Sequence, residues 1–126
     1  MSSPLRGVIV SHAAVAQALI GAVAAITGVT DALVAVSNDG CDRDALFTSL
    51  ATAVGGEPAV LFIDLPGGSC LTGAATYARG RANLSVVTGV NLAMLLDFVF
   101  HRDLPPAAAA ERAATAGTKA IRVPAS

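Results

Sequence analysis

Short apolar runs alternate with longer helix-forming stretches through most of this chain, and this alternation restricts its fold more than any other feature. Strands are predicted at residues 8–10, 31–36, 59–63 and 84–90, where Val, Ile, Leu and Ala dominate. Such continuous apolar runs are typical of strands that are buried on both faces. The sequence therefore favours a mostly parallel sheet with helices covering each side.

The stretches between the predicted strands carry helix signals. Gly28 fits a helix stop, and Asp42 can cap the helix that follows it. Pro105 and Pro106 suit the start of a final helix. Helices are predicted from Ala13 to about Ile26, from the Asp42 cap to about Val54, from the Gly67-Gly68-Ser69 turn to about Ala78, after Asn91 to about Arg102, and from Pro105-Pro106 to near Gly117.

The last apolar segment, residues 120–123, has the pattern of an edge strand because it includes the charged Arg122. We therefore predict a doubly wound, mostly parallel α/β sheet of about five strands, with helices on both faces. No linker, charge block or internal repeat divides the sequence. A single domain over residues 1–126 is therefore expected.

The composition narrows the classes of function. The 126 residues carry a net charge of -1, so we expect no basic face and no nucleic-acid partner. Cys41 and Cys70 lack both a motif spacing and a secretory context, which indicates reduced thiols. Because the sequence spacing reveals neither a metal-ligand cluster nor a Walker-type loop, we expect no metal and no cofactor.

Residues 7–30 contain no Asp, Glu, Lys or Arg, and Arg6 stands just before them. This is also the pattern of a signal peptide or a membrane span. Ser11, His12 and Gln17 interrupt the apolar stretch, however, and a strand followed by a helix explains it better. We expect a cytoplasmic protein.

Polar residues follow the predicted strands at the point where each strand ends. Ser11 and His12 end the first strand, and Asn38, Asp64 and Asn91 follow the next three. The carboxyl ends of parallel strands lie along one edge of a sheet, where ligands bind at the point at which the winding reverses. These residues are therefore the candidates for a functional site at this edge.

His12 is the candidate nucleophile of the site. A neutral imidazole keeps a lone pair on one ring nitrogen, and a carboxylate on the other fixes the tautomer and balances positive charge as a bond to phosphorus forms. Asp64 can supply this carboxylate if the first and third strands are neighbours. A structural histidine and a helix-capping aspartate are the alternatives that the residues leave open.

Gly67, Gly68 and Ser69 are the candidate phosphoryl-binding loop. Glycines let a phosphoryl group approach backbone amides, Ser69 adds a hydroxyl, and the helix that follows presents its positive N-terminus. A tight turn is the simpler explanation of the two glycines. His101, the second histidine, is expected at a helix end, where its charge suits the helix dipole, and it is not assigned to the site.

Three segments resemble, in order, the mannose-family IIA domain of the bacterial sugar phosphotransferase system. They are Val-Ile-Val-Ser-His at 8–12, Leu-Phe-Ile-Asp-Leu-Pro-Gly-Gly-Ser at 61–69 and Gly-Val-Asn-Leu-Ala-Met-Leu at 89–95. The likeness extends over nearly the whole chain. It implies a doubly wound domain whose last strand, residues 120–123, is antiparallel and exchanged between the subunits of a homodimer.

The resemblance also implies roles for the candidate residues. His12 would take a phosphoryl group from the carrier protein HPr and pass it to a IIB protein, as a phosphotransferase with a phosphohistidine intermediate in sugar uptake. Asp64 would orient the imidazole, and Gly67, Gly68 and Ser69 would surround the phosphoryl group. We expect IIB on another polypeptide and only an indirect link to a membrane permease.

Some positions depart from the family pattern. Ser11 and Ala13 flank His12, where the family often has Thr and Gly. Pro66 stands where an aromatic residue is common, and Cys70 stands where Pro often follows the serine. Asn91 matches the family asparagine after the fourth strand.

Two other functions remain open at this stage. A regulatory IIA-like protein would use the same His12 phosphorylation to control a partner, without sugar transport. An α/β binding domain with a structural His12 would have no phosphotransfer activity at all. The IIA-like domain that acts through dihydroxyacetone kinase is less similar around residues 67–69.

Overall fold

The computed structural model describes residues 4–40 and 42–125. This part of the chain folds as four strands, each followed by a helix, with a fifth helix at the end, so the predicted α/β class is confirmed. The strands are β1 (Arg6–Ser11), β2 (Leu33–Ser37), β3 (Ala59–Ile63) and β4 (Leu84–Thr88). The helices are α1 (Val15–Thr27), α2 (Arg43–Val54), α3 (Ser69–Ala78), α4 (Leu92–Val99) and α5 (Pro106–Lys119).

The strands form one parallel sheet in the order β2-β1-β3-β4. The winding therefore reverses between β1 and β3, which pair directly from Arg6 opposite Ala59 to Val10 opposite Ile63. In open α/β sheets this reversal creates a crevice at the carboxyl ends of the two strands. The neighbouring strands required for a His12–Asp64 pair are thus present.

The sheet separates two apolar cores because successive side chains of a strand point to opposite faces. Ile9 packs with α1, α4 and α5 on one face, whereas Val8 and Val10 pack with α2 and α3 on the other. Across the first core, the Phe62 and Phe98 rings meet edge to face with 5.0 Å between their centroids. Helices on both faces of the sheet are as predicted.

The predicted helix signals at Gly28 and Asp42 are confirmed. Gly28 ends α1 with φ 77°, and the Asp42 carboxylate accepts a hydrogen bond from the Ala45 N–H at 2.8 Å. α4 ends at Val99, before the predicted end at residue 102, because the Phe100 N–H bonds to the Asp97 carbonyl in a tightened last turn.

The predicted fifth strand does not form within the described chain. Residues 121–125 have no regular structure, and Ile121 and Val123 are 76% and 97% exposed. A strand needs a hydrogen-bonded neighbour, and this segment pairs with no strand of the sheet in residues 4–40 and 42–125. The prediction of about five strands is therefore corrected to four for the single chain.

Across residues 4–40 and 42–125, no helix combines the length and apolar character that crossing a membrane requires. The uncharged N-terminal stretch is instead β1 followed by the 13-residue α1. The expectation of a reduced thiol at Cys41 concerns a position outside the described residues.

Candidate functional site

The His12 imidazole lies against the Asp64 carboxylate at the carboxyl edge of the sheet. Asp64 Oδ2 accepts a hydrogen bond from the His12 backbone N–H at 2.8 Å and lies 2.7 Å from His12 Nδ1. The register explains this contact, because Val10 pairs with Ile63 and the two chains leave the sheet side by side. A single carboxylate oxygen thus holds both the backbone and the ring of His12.

Asp64 is ionised at neutral pH. Burial raises the pKa of its carboxyl, but the hydrogen bonds from the His12 ring and backbone, together with the His12 charge, outweigh burial and hold this pKa below its ordinary value. An ionised carboxylate only accepts hydrogen bonds, so we assign the proton of the neutral ring to Nδ1. The lone pair of His12 is then on Nε2, in a side chain that is 46% exposed.

The turn after His12 is held by Asp39. Ala13 has φ 49°, in the left-handed region, and its N–H donates to Asp39 Oδ1 at 3.2 Å. An alanine in this region carries roughly 1 kcal/mol of strain relative to glycine. Asp39 was not among the predicted site residues, although its place directly after Asn38 was an available signal.

Ser11 supports a helix and does not lie on the open edge. It is fully buried, and its Oγ accepts a hydrogen bond from the Ala16 N–H at 2.9 Å in the first turn of α1. Ala14, the N-cap residue that precedes that helix, offers no side-chain cap, so Ser11 takes this role.

The loop of Gly67, Gly68 and Ser69 leads into α3 beside the His12 ring. Gly68 precedes the helix with φ 88°, a conformation that favours glycine, and it provides no side-chain cap. The first N–H groups of α3 therefore have no partner within the helix. Ser69 Oγ accepts a hydrogen bond from Asn38 Nδ2 at 2.8 Å, so two predicted site residues meet here.

Asn91 holds two helices together. Its Oδ1 accepts a hydrogen bond from the Met94 N–H at 2.9 Å, and its Nδ2 donates to the Gly117 carbonyl at 3.1 Å. Both ends of the amide are thus occupied in the junction of α4 with α5. We place Asn91 in the support of these helices and not beside His12.

Cys70, like Asp39, was not among the predicted site residues. Its Sγ lies 3.7 Å from His12 Nδ1, and the ligand atoms of His12, Asp64 and Cys70 all lie within 4.8 Å of one another. Burial, followed by the charges of Asp64 and Asp39, raises the pKa of the Cys70 thiol to about 11. A sequence spacing does not reveal this cluster, because the three residues are remote in sequence and adjacent in space.

His101 lies beyond the end of α4, close to its predicted place. Its Nδ1 is 2.7 Å from the Asp97 carbonyl oxygen and 3.6 Å from Asp97 Oδ1. This histidine thus has local partners on its own helix, and it serves below as a control.

The fold and the site together define a doubly wound α/β domain with an exposed histidine, held by a partly buried aspartate, at the switch point of its sheet. The family model EIIA-man, described as "PTS system fructose IIA component", matches residues 7–115. The chain belongs to this family, and it is a IIA component of the phosphotransferase system. The resemblance to mannose-family IIA domains is confirmed.

Solved structures share the fold. EIIA from Streptococcus agalactiae superimposes with a TM-score of 0.87 at 18% identity, over 94% of this chain and 96% of that one. The mannose/sorbose specific IIA subunit from Enterococcus faecalis gives 0.84 at 20% identity, over 98% and 96%. A sigma-54 interaction domain protein from Enterococcus faecalis gives 0.65 at 11% identity, over 82% and 81%. Among curated proteins, no match was found.

Proposed function

We propose that this chain is a phosphohistidine carrier, in which His12 accepts a phosphoryl group from HPr and passes it to a IIB protein during sugar uptake. The observation that carries the proposal is the 2.7 Å contact between His12 Nδ1 and Asp64 Oδ2. It leaves Nε2 as the nucleophilic atom and places a negative charge behind the ring.

In the transfer step, the Nε2 lone pair forms a bond to phosphorus while the bond between phosphorus and the donor breaks. The ring gains positive charge as this bond forms, and the ionised Asp64 balances it through the Nδ1–H hydrogen bond. Passing the group to IIB reverses the sequence, with an acceptor atom of IIB as the nucleophile. The ring then returns to its neutral form.

The N-terminus of α3 is the proposed cradle of the phosphoryl oxygens. Its first N–H groups lack partners within the helix, and the helix dipole favours a negative group there. Gly67 and Gly68 bring little bulk to this approach, and Ser69 adds a hydroxyl. Because the His12 side chain is 46% exposed, the site is open enough for a protein donor.

We also propose that residues 1–126 act as one cytoplasmic domain in a homodimer. The free edge of β4 and the exposed Ile121 and Val123 support an exchange of residues 120–123 as an antiparallel strand between subunits. Such a strand would cover the sheet edge and give the apolar side chains a partner.

The regulatory alternative keeps the same phosphorylated His12 but replaces IIB with a controlled partner. One observation favours it, since the same fold occurs in the sigma-54 interaction domain protein at a TM-score of 0.65. Incubation of the labelled chain with a IIB protein from a neighbouring operon distinguishes sugar uptake from regulation. Rapid transfer from the labelled chain to IIB supports sugar uptake, whereas a stable label in its presence supports regulation.

The test of the carrier function is phosphoryl transfer from phosphoenolpyruvate through enzyme I and HPr. We expect an acid-labile, alkali-stable label on the wild-type chain, none on His12→Ala, and full labelling of the control His101→Ala. Labelling of His12→Ala, or an unlabelled wild type with an HPr that phosphorylates another IIA component, would overturn the proposal.

A further inference from the structure

We propose that His12, Asp64 and Cys70 form a site for a divalent metal ion of the zinc class, and that the bound ion blocks phosphorylation of His12. The blocking rests on the carrier function proposed above, whereas the binding does not.

The donor set suits zinc. Imidazole nitrogen, thiolate sulfur and carboxylate oxygen are the three ligand types of zinc sites in proteins, and three protein ligands leave a fourth position open to water. A carboxylate and a thiolate together carry two negative charges, which one divalent ion neutralises. Hard ions such as magnesium prefer oxygen ligands and fit this set poorly.

The spacing is close to a tetrahedral site. With zinc at about 2.0–2.1 Å from nitrogen and 2.3 Å from sulfur, two such ligand atoms lie roughly 3.6 Å apart. Cys70 Sγ and His12 Nδ1 are 3.7 Å apart. The 2.7 Å contact between Nδ1 and Asp64 Oδ2 must lengthen when the ion takes the place of the Nδ1 proton, and the exposed His12 side chain allows this movement.

Asp64 has a free lone pair on Oδ1, the oxygen that does not contact His12. Its Oδ1 is buried and has no hydrogen-bond partner among the described residues. A buried carboxylate oxygen of this kind is uncommon, since buried polar atoms are nearly always paired. A metal ion at this position gives Oδ1 a partner while Oδ2 retains the His12 backbone N–H.

Metal and phosphoryl group exclude each other through the imidazole tautomer. A metal on Nδ1 displaces the Nδ1 proton to solvent, and the neutral ring takes a proton from solvent on Nε2. Nε2 then has no lone pair for phosphorus. The Cys70 thiol gives up its proton to the buffer, so binding releases one proton in total.

Cobalt(II) is the spectroscopic probe for this site, because a cysteine thiolate bound to it gives a charge-transfer band in the near ultraviolet. We expect one cobalt ion per chain with this band in the wild type and in the thiol control Cys41→Ser. Cys70→Ser should lose the band and bind zinc at least about 100-fold more weakly in competition with a chromophoric chelator. Equal zinc affinity of wild type and Cys70→Ser, or a band that depends on Cys41, overturns the proposal.

A measurement on the wild-type chain tests the metal site even if the variant Cys70→Ser does not fold. Nitrogen-15 NMR of the His12 ring should show, on adding zinc, a ligated Nδ1 and a protonated Nε2. Unchanged His12 ring resonances at saturating zinc contradict the site.

The effect of zinc on the phosphorylation of His12 is measured with purified phospho-HPr, so that enzyme I is absent when zinc is added. Zinc at one equivalent should slow labelling of the wild type at least about tenfold, and a chelator should restore it, whereas Cys70→Ser should be insensitive. Labelling that zinc does not affect, with zinc bound, overturns the blocking. An unlabelled chain that binds zinc refutes the carrier function and leaves the metal site standing.

Discussion

Asp64 determines the reactivity of His12 through one oxygen atom. Oδ2 meets both the backbone N–H and the ring of His12, which fixes where the ring lies and which nitrogen carries its proton. The pKa of Asp64 stays below its ordinary value despite burial, so its charge is present throughout the neutral range. The pair is therefore poised for nucleophilic attack without any movement of the backbone.

The variant Asp64→Asn tests this role. An asparagine oxygen in the place of Oδ2 keeps both hydrogen bonds but removes the charge that balances the developing imidazolium. We expect the rate of labelling by phospho-HPr to fall by about 10²–10⁴-fold, as for other catalytic histidines that lose their carboxylate. Asp31→Asn is the matched control, since the Asp31 side chain is 86% exposed, and an equal loss in both variants would contradict the role of Asp64.

The variant Gly67→Ala tests the phosphoryl cradle separately from the stability of the fold. A Cβ at Gly67 meets no atom within 4 Å, and its φ is not in the left-handed region, so alanine fits the folded chain. Gly67→Ala adds bulk to the proposed phosphoryl cradle, and we expect labelling to slow about tenfold, which corresponds to about 1.4 kcal/mol. Denaturant unfolding serves as the control, with a change below about 0.5 kcal/mol expected. Labelling at the wild-type rate would remove Gly67 from the cradle.

The His12–Asp64 pair could be predicted from the sequence, but the roles of all the polar residues at the strand ends could not. Strand ends can be found from apolar runs, and a histidine and an aspartate at two such ends suffice to predict the pair. Ser11 and Asn91 have the same placement in sequence, yet both bond to helix N-termini. Serine and asparagine are preferred helix caps, so sequence alone does not separate this use from a site role.

Where strands and helices pack closely, a glycine can be the only residue that fits, because a side chain at its position would clash with the neighbouring element. A Cβ at Gly7 on β1 would lie 2.7 Å from Leu33 Cδ2 and 2.8 Å from Phe98 Cε2. Gly21 on α1 is exposed, and a Cβ at Gly21 would meet no atom within 4 Å. The two glycines therefore differ in what an added methyl group meets.

We expect opposite effects of alanine at these two positions. Gly7→Ala should lower the free energy of unfolding by about 1–3 kcal/mol, because the methyl group overpacks the contact of β1 with α4. Gly21→Ala should raise it by about 0.5–1 kcal/mol, because alanine loses less conformational freedom in a helix. Urea unfolding measures both, and a stabilising Gly7→Ala would contradict the packing described here.

Element boundaries were predictable wherever a local signal exists. The caps at Gly28 and Asp42 lie where the sequence placed them, whereas α4 ends early without a glycine or proline to mark its end. The fifth strand is absent from the described part of the single chain for a different reason. Its residues have a suitable apolar pattern, but pairing depends on a partner strand that local sequence does not specify.

For the whole molecule, the parallel order β2-β1-β3-β4 puts the functional residues at one crevice. The alternation of strands and helices predicted this edge, because doubly wound sheets bind ligands where the winding reverses. The cluster of His12, Asp64 and Cys70 could not be read from spacing, since it arises only when the three segments come together.

The proposed strand exchange makes a prediction about assembly. We expect the full chain to sediment as a dimer and a chain shortened after Ala120 to sediment as a monomer at the same concentration, because the deletion removes Ile121 and Val123 of the proposed exchanged strand. Removal of Ser126 alone is the control and should leave the dimer intact. A monomeric full chain, or an unchanged dimer after the deletion, would contradict the exchange.

The central claim is that the phosphoryl group resides on one atom, Nε2 of His12. Phosphorus and nitrogen-15 NMR of the chain after labelling by phospho-HPr tests it most directly. We predict a single phosphohistidine with phosphorus bonded to Nε2 of His12 and with Nδ1 still facing Asp64. A phosphoryl group on Nδ1, or on His101, would contradict the arrangement of the site from which the function is proposed.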